Sequence, residues 1–351
     1  SNEKRETGVP TRSRKTTETR PANAGRVLVS GGAGFIGSHL VERLVERGER
    51  VCVVDDLSTG AASNLAPVRD HIEFIERDLS LALEHELRGE RFDGIYHLAA
   101  AVGVELVMNE PVRAIETNVD LTAQLLRFAS ITGAPTLIAS SSEVYGKPGK
   151  ELFSEEDDVL YGPTSVTRWS YACSKAIDEY LALAYAREGR VPAVVCRFFN
   201  TVGPRQLGDY GMVVPRFVRA ALAGEPLRVY GDGSQSRCFC DVRDVTELLP
   251  RLLGEPSAAG RVFNVGSDSP ITIMELGELV IDTLGSESTI VTVPYSDAYP
   301  GGFEDLRHRR PDLTRVREAV GFDASTPLVQ TIRDIAASHR KGASLGSEGG
   351  A

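Results

Sequence analysis

Short apolar runs recur along the first part of the chain, at 26–30, 50–54, 72–75, 94–99, 136–140 and 191–197, with longer helical stretches between them. Continuous apolar runs of about four to eight residues suit strands buried on both faces, where parallel strands covered by helices lie. The pattern predicts a βαβ rhythm and a doubly wound parallel sheet of the α/β class. After residue 200 it loosens, and Gly and Pro breaks separate short strands at 227–230 and 262–265 from helices at 273–284 and 328–338. One domain is therefore expected over 26–200 and a smaller C-terminal α/β domain over 201–340, with the chain crossing back to the first sheet. Their crevice, outside the strand ends, is where a ligand belongs. Residues 1–25 lack apolar periodicity and are expected to be a disordered tail, and the Gly/Ser-rich 341–351 a flexible one. The opening Ser1 in place of Met reads as a remnant of processing or of a tag.

Two long helices, at 112–131 and 169–187, carry apolar residues beyond one stripe. Either both cover the sheet, or part of each meets a second copy of the chain. Charge narrows the partners further. Forty-nine acidic against 39 basic residues give a net charge of −10, which argues against nucleic acid or an anionic membrane as a general partner. An anionic ligand would need local arginines. No apolar run approaches the roughly 18 residues of a membrane span. The five cysteines, at 52, 173, 196, 238 and 240, read as reduced thiols of a cytoplasmic protein, with Cys238 and Cys240 sharing one strand face. Six His residues show no ligand spacing, so no metal site is expected.

Chemistry enters through two motifs. The apolar run 26–30 leads straight into Gly31-Gly32-Ala33-Gly34-Phe35-Ile36-Gly37, and a helix is predicted over 38–47. Strand, glycine turn and helix in that order form a dinucleotide site, because the glycines admit a close pyrophosphate and the helix N-terminus offers unpaired N–H groups. The next strand ends at Asp55, whose carboxylate suits both ribose hydroxyls and repels a 2′-phosphate, so NAD is expected over NADP. The second motif is Ser140-Ser141-Ser142-Glu143-Val144-Tyr145-Gly146 followed by Tyr171-Ala172-Cys173-Ser174-Lys175. Tyr171 and Lys175, at i and i+4, share a helix face, so the ammonium is expected to lower the phenol toward working pH and make it a base for a hydroxyl proton. Ser141, from the preceding strand end, can hydrogen-bond the same substrate oxygen.

These segments, with Leu57-Ser58-Thr59-Gly60, Arg77-Asp78-Leu79, His97-Leu98-Ala99-Ala100, Asn118 and 197–205 (RFFNTVGPR), resemble the extended short-chain dehydrogenase/reductase family over about residues 26–339. The resemblance implies a Rossmann-type NAD-binding domain over 26–200, a substrate domain after it and nucleotide-sugar chemistry. It implies that Gly31, Gly34, Phe35, Ile36, Gly37, Asp55, Ser58, Thr59, Gly60, Asp78, Leu79, Ala99, Ala100 and Asn118 contact the cofactor, together with Tyr171 and Lys175. It also implies a homodimer through the two long helices.

Flanking residues choose among the chemistries. SSSEVYG resembles the TSEVYG of UDP-glucuronate decarboxylases, whereas thymidine-type 4,6-dehydratases carry Asp where this chain has Ser142, and simple 4-epimerases usually lack the Glu. Residues 230–239 match a segment that places Arg237 on the substrate diphosphate, a role suited to the guanidinium fork. The basic run 303–312 resembles the segment holding the decarboxylases' active-site Arg, aligning it with Arg309. By this resemblance Ser141, Ser142, Glu143, Tyr171, Lys175 and Arg309 form the catalytic set, with Asn200, Arg216, Tyr230, Arg237 and Arg309 on the UDP-sugar. Arg168, read as pairing with a surface acid, stays outside it. The expected reaction is decarboxylation of UDP-glucuronate through a 4-keto sugar to UDP-xylose. A 4-epimerase or a 4,6-dehydratase is the rival, and a non-catalytic NAD-binding sensor the alternative of a different class.

Overall fold

The computed structural model describes residues 25–101, 109–208, 212–294 and 307–348, with side chains as far as residue 340. The expected tail over 1–24 and the start of the basic run, 303–306, lie outside these residues. Seven strands form the central sheet: β1 (Arg26–Ser30), β2 (Arg50–Asp55), β3 (Ile72–Glu76), β4 (Gly94–His97), β5 (Thr136–Ser141), β6 (Ala193–Phe198) and β7 (Arg261–Val265). They run β7-β6-β5-β4-β1-β2-β3, and every neighbouring pair is parallel. The order reverses between β1 and β4, which opens a crevice at their C-terminal ends.

The described helices are α1 (Phe35–Glu46), α2 (Leu79–Glu84), α3 (Pro111–Thr132), α4 (Trp169–Arg187), α5 (Val213–Ala223), α6 (Val242–Leu253), α7 (Ile273–Leu284), α8 (Thr314–Val320) and α9 (Leu328–Glu348). The pleat of β1 sends Val27 and Val29 to one face and Leu28 to the other, and β2 splits Val51 and Val53 from Cys52 and Val54 in the same way. Cover on both faces is why these strands carry unbroken apolar runs. One layer is α1, α6 and α8; the other is α2, α3 and α4. A separate core joins α5, α7 and α9 to the paired strands 227–230 and 290–293. Between the two regions lies a four-stranded sheet, in which 236–238 pairs with 270–272 and 308–311, and 308–311 pairs with 152–153. Its register sets Arg237 beside Arg309.

Several boundaries differ from the sequence reading. Helix α1 starts at Phe35 rather than 38, directly on the glycine turn, and β4 stops at His97, freeing 98–100 to line the crevice. The last helix runs to Glu348 where a loose tail was expected from 341, since two glycines cost a helix only about 1 kcal/mol each beside Lys, Ala and Leu. Cys238 and Cys240 do not share a strand face. They end and begin strands of different sheets, because the chain changes partner at Phe239 and Cys240 N–H donates to the Asn200 carbonyl at 3.2 Å. Both thiols are buried, and burial pushes both up from their ordinary range.

A buried ion pair fixes α4 against the sheet. Arg197 of β6 reaches both carboxylate oxygens of Glu179, at 2.9 and 2.7 Å, and Ser140 of β5 donates to the same group. Removing one partner of such a pair strands a charge away from water. Arg197→Met is therefore expected to lose about 3–5 kcal/mol of stability, read as a lower urea midpoint at neutral pH.

Candidate active site

The crevice encloses about 2070 Å³. That is roughly twice the upper range of a single small-molecule pocket, about 1,000 Å³, and leaves room for two ligands end to end. At one end, Gly31 has φ +73°, and a Cβ on it would stand 2.6 Å from the Ala99 nitrogen. A Cβ on Gly37 would stand 2.1 Å from the Gly31 carbonyl oxygen, so neither position accepts a side chain. Gly34, Phe35, Ile36 and Gly37 line this end, where the first turn of α1 has N–H groups without carbonyl partners in the helix. Asp55, at the tip of β2, accepts the Leu57 N–H at 2.8 Å and the Ala33 N–H at 2.9 Å through different oxygens. Each oxygen keeps a lone pair for a ribose hydroxyl. Ser58, Thr59, Gly60, Asp78 and Leu79 border the same end, and Ala99 and Ala100 form its wall. A bare glycine turn, open helix N–H groups and a buried acceptor fit a dinucleotide with a free 2′-hydroxyl.

Asn118 departs from the expectation of a cofactor contact. It is buried behind the wall, where its Oδ1 accepts the Ala101 N–H at 2.7 Å and its Nδ2 donates to the Ala101 carbonyl and to Ser174 Oγ at 3.3 Å each. It holds the 99–101 segment against α4 rather than reaching into the crevice.

Further along, Ser141 ends β5 and a 3-10 turn over Ser142–Tyr145 follows, aiming Ser142 and Glu143 at the crevice. Tyr171 and Lys175 line it from successive turns of α4, and the Ser141 hydroxyl hydrogen-bonds the Tyr171 phenol. The expected lowering of Tyr171 does not occur in this geometry. Burial raises the phenol, the nearby Glu143 and Asp178 carboxylates raise it further, and only Ser141 opposes them. The Lys175 ammonium donates to Asp178 Oδ2 at 2.8 Å, one turn further along the helix.

Glu143 is the centre of a guanidinium cluster. Arg309 hydrogen-bonds its Oε1, and Arg168 Nη2 lies 3.6 Å from its Oε2. Burial alone would raise this carboxyl; Arg309 and Arg168, with Arg237 beyond them, overcome that and hold it at about 2. Arg309 is 6% exposed, so the basic run is no solvated loop at this residue. Arg168, set aside in the sequence reading, belongs to the cluster, and its place three residues before Tyr171 was the available signal; its guanidinium lies 5.6 Å from the Trp169 ring centre. Arg216 and Tyr230 face the same crevice together, with the guanidinium 4.4 Å from the ring centre. Asn200, at φ +38°, lines it too, but its amide donates to the Cys238 carbonyl at 3.1 Å and so also anchors the small sheet.

The Glu143 shift carries a pH signature. Its folded-state value, about 2, lies below the ordinary 4.5, so its stabilisation is complete above about 4.5 and fades as pH falls through about 2. The stability gap between the protein and Glu143→Gln should accordingly narrow on acidification across that window, measured by urea midpoints at stepped pH.

Comparison with known proteins agrees with this geometry. Residues 27–266 match the model of the NAD dependent epimerase/dehydratase family. The chain is 42% identical over 311 residues to a UDP-N-acetyl-alpha-D-glucosaminuronate decarboxylase of Bacillus cytotoxicus, covering 88% of this chain and 96% of that one. It is 38% identical to UDP-glucuronic acid decarboxylase 2 of Arabidopsis thaliana, covering 87% of this chain and 66% of that longer one. Among solved structures, a UDP-glucose 4-epimerase of Thermus thermophilus in complex with NAD superposes with a TM-score of 0.77 at 30% identity, over 90% of this chain and 99% of that one. An epimerase of Methanothermobacter thermautotrophicus gives 0.83 at 25% identity, over 92% and 94%. Glycine turn, Asp55 and the Ser141/Tyr171/Lys175 set thus stand in a chain that belongs to the NAD-dependent epimerase/dehydratase family, the extended short-chain dehydrogenases/reductases.

Proposed function

We propose that the protein decarboxylates UDP-glucuronate through a 4-keto sugar and yields UDP-xylose. The observation that carries this reading is the cluster of Arg168, Arg237 and Arg309 around the single carboxylate of Glu143, beside Tyr171. The planar fork of Arg309 is suited to a carboxylate, and a sugar acid brings one to this end of the crevice. A neutral hexose brings no carboxylate for Arg309 to bind.

In this reading the glycine turn, the α1 N-terminus and Asp55 hold NAD, which supplies the hydride acceptor for C4. Tyr171 takes the proton of the C4 hydroxyl, and Ser141 hydrogen-bonds the same oxygen. With C4 a ketone, the C6 carboxylate stands β to a carbonyl, and loss of carbon dioxide leaves an enolate. Tyr171 and Ser141 then hydrogen-bond the oxygen on which negative charge collects. Uptake of a solvent proton at C5 and return of the hydride to C4, with Tyr171 giving its proton back to the C4 oxygen, would complete UDP-xylose. Glu143, ionised throughout the neutral range, donates no proton; it orients Arg168 and Arg309, and Arg309 binds the sugar carboxylate. Arg237 takes the diphosphate, and Asn200, Arg216 and Tyr230 line the nucleotide end.

A second reading changes only C2. The Bacillus relative is named for an N-acetylated sugar acid, and its match covers nearly its whole length. We further read the protein as a homodimer, since Val112 and Ile131 of α3 and Ile177 and Tyr180 of α4 are exposed on neighbouring helices. Five free thiols fit a reducing, cytoplasmic setting, and no helix among the described residues is long and apolar enough to cross a membrane.

Incubation with UDP-glucuronate without added NADH is expected to release carbon dioxide and form UDP-xylose, identified by mass and NMR. UDP-galacturonate would point to an epimerase, UDP-4-keto-pentose with NADH would place the end of the reaction one step earlier, and no turnover would remove the reading. UDP-N-acetylglucosaminuronate run in parallel assigns C2. Tyr171→Phe should lower kcat by about 10²- to 10⁴-fold with NAD affinity nearly unchanged. Tyr180→Glu should convert the dimer to monomer by light scattering, while a wild-type monomer would refute the assembly.

A further inference from the structure

Lys175 lines the crevice with Tyr171 and is paired with a carboxylate away from it. Its side chain is 3% exposed, and the Asp178 side chain that accepts from it at 2.8 Å is fully buried, at 0%. Residues 171, 175 and 178 fall on one face of α4, so a buried ammonium stands between a phenol one turn back and a carboxylate one turn on. Behind Asp178 a polar line leads into the sheet. Thr122 of α3 faces the carboxylate, His97 Nε2 meets Thr122 Oγ1 at 3.1 Å, and His97 Nδ1 meets Ser30 Oγ at 2.7 Å.

No other cation in this line competes for Asp178. His97 is kept neutral by burial and by Lys175 itself, which hold it at about 3. Glu179, the next residue, is matched by Arg197 and Ser140. On the crevice side the charged neighbour is Glu143, matched by Arg309 and Arg168. Lys175 and Asp178 therefore form a closed neutral pair beside the base. A desolvated pair of this kind adds little to stability that apolar side chains would not supply, but it controls how much positive charge the neighbouring phenol feels.

We propose that Asp178 is a positioning residue that keeps Lys175 in a neutral resting pair while the cofactor site is empty, so that Tyr171 stays a phenol until the nicotinamide ribose draws the ammonium away. Readiness of the base is then tied to cofactor occupancy, and an enzyme without NAD does not carry a phenolate in its open crevice. The inference rests on the base role of Tyr171 read above, not on which sugar is bound.

The test uses protein stripped of cofactor and labelled with ¹³C at the tyrosine ring carbon that bears oxygen, with the Tyr171 resonance assigned by its loss in Tyr171→Phe. Asp178→Asn leaves the ammonium unmatched and should bring the Tyr171 midpoint down by roughly one to three pH units. Asp178→Glu should restore the wild-type titration, and Asp178→Ser carries the same expectation as Asn should the amide fail to fold. Adding NAD to the wild type should move the midpoint downward, and by less in Asp178→Asn. An unmoved midpoint in both neutral variants, or an equal NAD-induced shift with and without Asp178, would overturn the proposal. Turnover is not the readout, so a mistaken substrate leaves this result standing.

Discussion

The clasp of Arg309 and Arg168 on Glu143 ties together three stretches of chain far apart in sequence. Glu143 belongs to the turn after β5, Arg168 leads into α4, and Arg309 comes from the small sheet. Burial alone would make this carboxyl hard to ionise; the guanidiniums reverse that, and in doing so fix the wall opposite Tyr171. Remove them and the turn loses its electrostatic anchor, while the segment 308–311 keeps its ladder to 236–238 and 152–153 and the contact of His308 with Ser236. The same contact that closes the fold thus stands in the crevice that Tyr171 lines.

Helix α4 distributes the remaining work along its turns. Arg168 leads in at its N-terminus, Tyr171 and Lys175 face the crevice, Asp178 faces the buried line to Ser30, and Glu179 locks to Arg197. Because these groups ride on one rigid element held by a buried ion pair, their spacing is fixed by helix geometry rather than by a loop. Asn118 performs the matching task on α3, holding the wall that carries Ala99 and Ala100.

Much of this was legible in the chain. Unbroken apolar runs announced strands covered on both faces, and the glycine turn before α1 announced the phosphate site because only a bare backbone fits between Gly31 and Ala99. What escaped has physical reasons. The small sheet consists of strands of two to four residues, too short for a hydrophobic period, yet it places Arg237 beside Arg309. Arg168 read as the partner of a surface acid, whereas the fold sets it, half-buried, against Glu143. The phenol's environment could not be read from Tyr and Lys spacing, since burial raises it most, and Glu143 and Asp178 add to that only where the fold brings them near.

On the proposed function, Arg309 seats the sugar carboxylate. Affinity of UDP-glucuronate against UDP-glucose, measured by calorimetry on NAD-loaded Tyr171→Phe protein, tests it without turnover. A preference for the acid of about 10- to 100-fold is expected, the size of one charged hydrogen-bonding contact, and it should collapse when Arg309 is replaced by Met. Equal affinities with the cluster intact, or a preference that survives in a folded Arg309→Met protein, would contradict it.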